Sequence, residues 1–199
     1  MKRVVLVTGG TRGIGFATAK KFAENGYAVA INGYSEVNGE FAEKTLVDLG
    51  YDVMFFKADV TKEDEAIELV NLVAEKFGRI DVLVNNAGGL GGRQRFENME
   101  TSFWHNVLDL NLNSVFYVSR AAVPFMKEKG GSIINLTSIA AYHGGGPGAS
   151  AYAVSKAGVL ALTRGMSKEL IDSGIRVNAV SPGTVDTDFH AETNKELMK

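Results

Sequence analysis

The sequence predicts an α/β fold: a single doubly wound parallel sheet with helices on both faces. Three observations carry this. Six short runs rich in Val, Ile, Leu and Phe recur along the 199 residues, helical patterns fill the intervals, and the first run leads straight into a glycine-rich loop that opens a helix. Runs that are almost continuously apolar belong to strands buried on both faces of a parallel sheet. Strand–helix alternation throughout builds right-handed βαβ units and so a doubly wound sheet.

The first run is "RVVLV" (3–7), followed by the loop "TGGTRGIG" (8–15) and the helical pattern "GFATAKKFAENG" (15–26). "AVAIN" (28–32) and "VMFFK" (53–57) are the second and third strands. "DEAIELVNLVAEKFG" (64–78) is a helix with Ile67, Val70, Leu72, Val73 and Phe77 mostly on one stripe. "IDVLV" (80–84) is the fourth strand, and about two helices' worth of sequence (100–129) precedes the fifth, "SIINLT" (132–137). A long helix opens with "SAYAVSKAGV", and "IRVNAV" (175–180) is the sixth strand. No repeat, low-complexity tract or linker divides residues 1–199, which read as one domain. Ligands of such sheets bind beyond the carboxyl ends of the strands, where strand order reverses. The loops that follow the strands are therefore where function is sought.

Composition narrows the classes. The formal net charge is −2 and no Lys/Arg run exists, which argues against a nucleic-acid face. There are no cysteines, so disulfides, thiolate metal sites and a cysteine nucleophile are excluded. The apolar run at the start of the chain, Val4–Val7, is too short for a signal-peptide core or a membrane span, and no later run is long enough. The expectation is a cytoplasmic protein without a membrane partner. Glycine is in excess, 23 of 199 residues, and clusters at 9–15, 88–92 and 144–148, where backbone can approach a ligand closely. His105, His143 and His190 lack a metal-ligand spacing, and no metal is expected.

Gly9, Gly13 and Gly15 give the first loop the spacing G-x-x-x-G-x-G, with Thr11, Arg12 and Ile14 between them. A tight strand-to-helix turn of this kind sets backbone N–H groups and a helix N-terminus against a pyrophosphate. A merely tight turn would have the same spacing. The second strand bears on which dinucleotide is bound. An acid near its end normally holds the adenosine 2′-hydroxyl. Here that position falls near Gly33, followed by Tyr34 and Ser35, and Glu36 comes too late. Arg12, inside the loop, could instead grip a 2′-phosphate. A missing acid and an added base point to NADP(H), with NAD(H) the alternative and a solvated Arg12 the simpler reading.

Tyr152 and Lys156 stand four residues apart, a spacing that puts both on one helix face. In isolation the pair is a tyrosine packing on a lysine stem. Its chemical reading is a phenol made usable by a neighbouring cation. An ammonium at about 4 Å, with an effective dielectric of about 20, is worth about 4 kcal/mol, enough to bring a phenol from about 10 to near 7. Upstream, Ser138, Thr137 and Ser132 are hydroxyl residues around the fifth strand, and Asn111 sits in a helical pattern where asparagine is disfavoured.

The ordered motifs "TGGTRGIG", "ADV" (58–60), "NNAG" (85–88), "NLNSVF" (111–116), "INLTSIA" (134–140), "YAVSK" (152–156) and "IRVNAVSPG" (175–183) resemble those of the short-chain dehydrogenase/reductase family, over essentially the whole chain. The resemblance implies Tyr152 as catalytic acid/base, Lys156 as its partner and a ligand of the nicotinamide ribose, and Ser138 as holder of the substrate oxygen. It implies that Asn111 bends its helix around a water that serves as a proton relay. It assigns Asp59 and Val60 to adenine, and Asn86, Ala87 and Gly88 to the adenine ribose. Pro182, Gly183, Val185 and Thr187 would orient the carboxamide. It also puts the loop carrying His143 beside substrate, with Arg93 and Arg95 where substrate could approach.

The activity so implied is NADP(H)-dependent interconversion of a carbonyl and a secondary alcohol. A 3-oxoacyl group on a carrier protein is the first substrate class, with Lys127 and Lys129 as weak docking candidates. A sugar or polyol is the rival class, and a non-catalytic dinucleotide sensor is the reading from outside enzymology. The family pattern continues through further helices to a last strand, whereas this sequence stops in "DTDFHAETNKELMK". Apolar excess on two helices implies a homodimer, or a homotetramer: Ala151, Ala153, Val154, Ala157, Val159, Leu160, Ala161 and Leu162 on one, and Val115, Phe116, Val118, Ala122, Val123 and Phe125 on the other.

Overall fold

A computed structural model describes residues 2–185. Its six strands are β1 (Val4–Val7), β2 (Ala28–Gly33), β3 (Val53–Lys57), β4 (Val82–Asn85), β5 (Gly131–Leu136) and β6 (Ile175–Val180). They pair in parallel throughout, in the order β3-β2-β1-β4-β5-β6. The chain moves outward from β1 to β3, then returns to the other side of β1 for β4. The switch point therefore lies between β1 and β4, and the loops leaving those two strands face each other there.

The helices are α1 (Gly13–Glu24), α2 (Glu36–Val47), α3 (Glu63–Phe77), α4 (Thr101–Leu108), α5 (Ser114–Met126), the short α6 (Ala140–His143) and α7 (Ser150–Glu169). A single π turn, Asp109–Asn113, joins α4 to α5. Side chains alternate across the sheet. Val4 and Leu6 enter one core with Leu83 and Ile133, beneath α3 and α5. Val5 and Val7 enter the other with Val29, Ile31 and Val84, beneath α1 and α2. On this second face a groove lined by Ile14, Thr18, Phe22, Ile134, Leu136 and Val180 stays open beside α1.

Two patterns differ from the sequence expectation. On α3 the buried stripe is Ala66, Leu69, Val70, Val73 and Ala74, while Ile67 and Leu72 are exposed. Positions 66, 69, 70, 73 and 74 follow one helical stripe, which leaves 67 and 72 on its outer side. The apolar excess of α7 is largely used within the protomer: Ala151, Ala153 and Val159 are buried, Leu160 and Leu162 are half-buried, and only Val154 and Ala161 are exposed. On α5, Val115, Val118 and Ala122 are buried, whereas Phe116 and Phe125 remain exposed.

Candidate active site

The glycine loop turns directly out of β1. Gly9 and Gly13 adopt φ of 60° and 53°, the left-handed region that glycine tolerates. At Gly15 a Cβ would lie 2.2 Å from the Gly9 carbonyl oxygen, so only glycine lets α1 begin that close to the strand end. The loop is fixed from across the switch point. Asn86 Nδ2 donates to the carbonyls of Thr8 and Gly9, both at 3.0 Å, and the buried Thr8 hydroxyl accepts the N–H groups of Asn86 and Ala87, both at 3.1 Å. The Asn86 side chain is thus committed to the loop itself, and Ala87 is half-buried beside it. Thr8 has this organising part although nothing in the motif spacing singled it out.

Arg12 ends this turn as the N-cap of α1. It is exposed, makes no capping bond, and has no ion pair among the described residues. Thr11 lies directly over Gly33: a Cβ there would meet its methyl at 2.8 Å. The end of β2 is thus packed under the Thr11 side chain and carries no acid to hold a 2′-hydroxyl. Tyr34 is 72% exposed beside it, and Ser35 caps α2 by accepting from Asn38 N. Glu36 is paired with Lys57 at 3.0 Å. An open α1 N-terminus with a free guanidinium beside it is a donor set that fits a phosphate-bearing dinucleotide.

Two of the adenine candidates have structural duties. Asp59 Oδ1 accepts from Thr61 N at 3.0 Å and Thr61 Oγ1 at 2.8 Å, and Val60 is buried in the core with Ala66 and Leu69. Val60 can therefore offer a ligand only its backbone. Pro182 is half-buried and its carbonyl accepts from Ile139 N, while Gly183 and Val185 are exposed. Thr187 and His190 lie outside the described residues.

The four candidate catalytic residues come together at the carboxyl ends of β4 and β5. Asn111, fully buried in the π turn, brackets Gly89: its Nδ2 donates to Gly89 O at 2.8 Å and its Oδ1 accepts from Gly89 N at 3.0 Å. The same Nδ2 donates to Val107 O at 3.0 Å, so the side chain satisfies backbone that the π turn would orphan. Neighbouring Asn113 Nδ2 donates to Asp109 Oδ1 at 2.6 Å. Gly88 is where site residues converge: a Cβ there would stand 2.8 Å from Asn111 Oδ1 and 3.1 Å from Lys156 Nζ.

Lys156 is buried and its Nζ donates to Leu136 O at 2.9 Å, 5.9 Å from the Tyr152 ring centroid. Burial lowers its pKa from 10.5 to about 8. Tyr152 is buried as well, and Ser138 hydrogen-bonds its phenol. Burial raises the Tyr152 pKa above its ordinary value, with the Ser138 bond acting in the opposite sense. The expectation that Lys156 brings the phenol near neutrality is therefore corrected. Desolvation penalises the phenolate, and the lysine is itself half-discharged near pH 8 and turned to a backbone carbonyl. Ser138 also accepts from Ala140 N at 3.2 Å. Ser132 is at the opposite end of β5 and takes no part in the site.

His143 is exposed at the end of α6 and its Nδ1 accepts from Gly145 N at 3.2 Å, leaving Nε2 outward. Arg93 is half-buried, with Nη1 donating to Pro147 O at 2.8 Å, and Arg95 is exposed. Sequence reasoning missed a buried polar ladder beneath the site. Asn85 Nδ2 donates to Ser119 Oγ and Asn135 Oδ1, both at 2.8 Å, and Asn135 Nδ2 donates to Thr163 Oγ1 at 2.9 Å. With Thr137 Oγ1 donating to Lys156 O at 3.0 Å, this ladder sets the height of α7 on the sheet. Its signal was four polar residues, Asn85, Ser119, Asn135 and Thr163, inside otherwise apolar strands and helices. Among the described residues no cluster of three His, Cys, Asp or Glu could hold a metal, and no helix is long and apolar enough to cross a membrane.

The short chain dehydrogenase family profile matches residues 3–198. The 3-oxoacyl-(acyl-carrier-protein) reductase FabG of Chlamydia muridarum is 40% identical over 191 residues, covering 95% of this chain and 76% of that protein. A 3alpha-hydroxysteroid dehydrogenase of Mediterraneibacter gnavus is 40% identical over 99% of this chain and 79% of its own length. The crystal structure of NADH-dependent reductase A1-R' complexed with NAD superposes with a TM-score of 0.87 at 40% identity, over 93% of this chain and 80% of that one. The same reductase, described as responsible for alginate metabolism, gives a TM-score of 0.88 at 41% identity. The parallel sheet, its switch-point loops and this agreement in sequence place the chain in the short chain dehydrogenase family, as an oxidoreductase with a nicotinamide dinucleotide cofactor.

Proposed function

We propose that the protein is an NADP(H)-preferring oxidoreductase that interconverts a carbonyl and a secondary alcohol. The observation that carries this is a connected set at the carboxyl ends of β4 and β5: Asn111 and Lys156 meet over Gly88, Lys156 Nζ lies 5.9 Å from the Tyr152 ring centroid, and Ser138 bonds the Tyr152 phenol. The bound nicotinamide supplies the hydride. Ser138 orients the substrate oxygen beside the phenol, and Tyr152 exchanges the proton with it. Burial keeps the phenol protonated near neutral pH, the form that gives its proton to a carbonyl oxygen in the reducing direction. Lys156 holds charge beside the developing phenolate, and Asn111 fixes the Gly88–Gly89 backbone against which the cofactor lies.

Arg12 and the crowded Gly33 support NADP(H). NAD(H) is kept as the second reading because the similar solved reductase is NADH-dependent. We take the 3-oxoacyl carrier-protein class as the first substrate, from the 40% identical reductase of that name. The polar, glycine-rich loop "HGGGPGAS" (143–150) and the resemblance to a reductase of alginate metabolism favour a sugar-derived carbonyl as the rival. We read residues 1–199 as one domain of a cytoplasmic enzyme. Exposed Phe116, Phe125 and Val154 support a homodimer on α5 and α7, which sedimentation at micromolar concentration tests.

The deciding experiment follows NADPH and NADH consumption separately with oxoacyl thioesters, oxidised sugars and ketosteroids. Turnover of at least one class, faster with NADPH, is expected. Cofactor binding without turnover of any class would leave the dinucleotide-sensor reading standing instead.

A further inference from the structure

Tyr152 lies in the first turn of α7, and that helix begins without a side-chain cap at Ala149. The chain reaches it through 144–149, a loop exposed at Gly144, Gly146 and Pro147, in which Gly144, Gly145 and Gly148 take left-handed φ of 84°, 75° and 78°. Little within the loop holds it. Gly145 N reaches His143 Nδ1, and Ala149 N reaches Gly146 O at 3.0 Å.

The external ties come from the loop that follows β4. Arg93 Nη1 donates to Pro147 O at 2.8 Å, and Gln94 N donates to Gly148 O at 3.1 Å. A Cβ on Gly148 would meet Arg93 Cβ at 3.0 Å, so the two backbones run in close contact. This second loop is anchored at both ends. Asn111 brackets Gly89, and Gln94 Oε1 accepts from Glu100 N at 2.8 Å at the start of α4. Leu90 and Ala149 share one apolar cluster with Tyr152. Arg93 Nε is buried with no hydrogen-bond partner, and no carboxylate pairs with this guanidinium among the described residues. A buried N–H without a partner is costly, and the fold bears that cost where Arg93 holds Pro147.

We propose that Arg93 is a positioning residue: it clasps the glycine-rich entry of α7 and so holds Tyr152 at the height of Ser138. The proposal rests on the oxidoreductase reading for its kinetic consequence, but its structural consequence stands without it. Arg93→Met keeps the stem and removes the donors, and Arg93→Lys restores one donor.

Two readouts are needed. Amide hydrogen exchange without substrate should show residues 145–153 exchanging at least tenfold faster in Arg93→Met, with the glycine loop at 9–15 unchanged. Steady-state kinetics should show kcat at least tenfold lower, cofactor affinity within twofold of wild type, and partial recovery in Arg93→Lys. Unchanged exchange at 145–153 overturns the clasp whatever the activity. Faster exchange with unchanged kcat overturns the positioning of Tyr152. A loss of kcat in Arg93→Met with no recovery in Arg93→Lys also counts against the clasp. A wild-type protein without turnover refutes the oxidoreductase reading, and exchange alone then decides whether the loops are clasped.

Discussion

Two of the three glycine-rich loops of this protein do opposite things with the same residue. The loop at 9–15 is packed: Gly15 sits where a Cβ would stand 2.2 Å from backbone, and buried Thr8 and Asn86 tie the turn to the strand next door. The loop at 144–148 is open: Gly144 has nothing within 4 Å of a built Cβ, and two bonds from Arg93 and Gln94 hold it. In the first, glycine serves close approach. In the second it serves backbone conformation at Gly144, with close approach only where Gly145 meets Ala149 and Gly148 meets Arg93. A rigid turn suits a ligand part that never varies, such as a pyrophosphate. A loop held by few bonds suits the side that meets the substrate.

Alanine at Gly15 is the strongest way to break the contrast. Gly15→Ala must push α1 away from Gly9, at about 1–3 kcal/mol in stability, and cofactor binding should fall below detection in calorimetric titration. Binding within twofold of wild type would mean the turn is not packed as described.

Lys156 gives the next effect. Its folded pKa of about 8 lies below its ordinary 10.5, so between those values the unfolded chain binds more protons and stability rises with pH. From pH 8 to 10 this one group adds about 2 kcal/mol, a contribution fully absent below pH 8. Above pH 10 the raised Tyr152 acts in the opposite direction. Urea unfolding at pH 8 and 10 should show the wild type gaining on Lys156→Met across that window. Parallel behaviour of the two proteins would show that Lys156 is not desolvated.

Arg12→Ala should remove most of a several-fold preference for NADPH over NADH, measured by titrating each, while the two affinities approach one another. Gly146→Ala should be nearly silent. Its Cβ would make only an ordinary 3.5 Å contact with Arg93, so a melting temperature and kcat close to wild type are expected.

Much of this architecture was legible in the chain because parallel strands buried on both faces are continuous apolar runs. "RVVLV" and "IDVLV" could be read without knowing what covers them. The glycine turn was legible because its spacing is local. What spacing could not give was depth. Tyr152 and Lys156 are neighbours by helix geometry, but whether the lysine acidifies the phenol depends on burial and on the Leu136 carbonyl, from another strand. Ile67 and Leu72 were assigned to the buried stripe of α3 because size was read as burial, whereas Ala66 and Ala74 occupy it. The apolar excess on α7 serves two surfaces that spacing does not separate: α4 and the π turn pack against that helix, while Val154 stays exposed. Thr8, Asn85 and Asn135 draw their roles from partners 28 to 79 residues away, a separation at which no local pattern points to the contact.

The central claim is that Tyr152 exchanges the proton while the rest of the site holds the cofactor. Tyr152→Phe removes one hydroxyl and leaves the ring in its cluster. The most direct measurement is its NADPH affinity beside its turnover of whichever carbonyl the wild type reduces. Affinity within twofold of wild type and a turnover lower by at least about a thousandfold is the expected result, in line with the upper range of acid–base contributions. A phenylalanine variant that keeps a tenth or more of the wild-type kcat would contradict it.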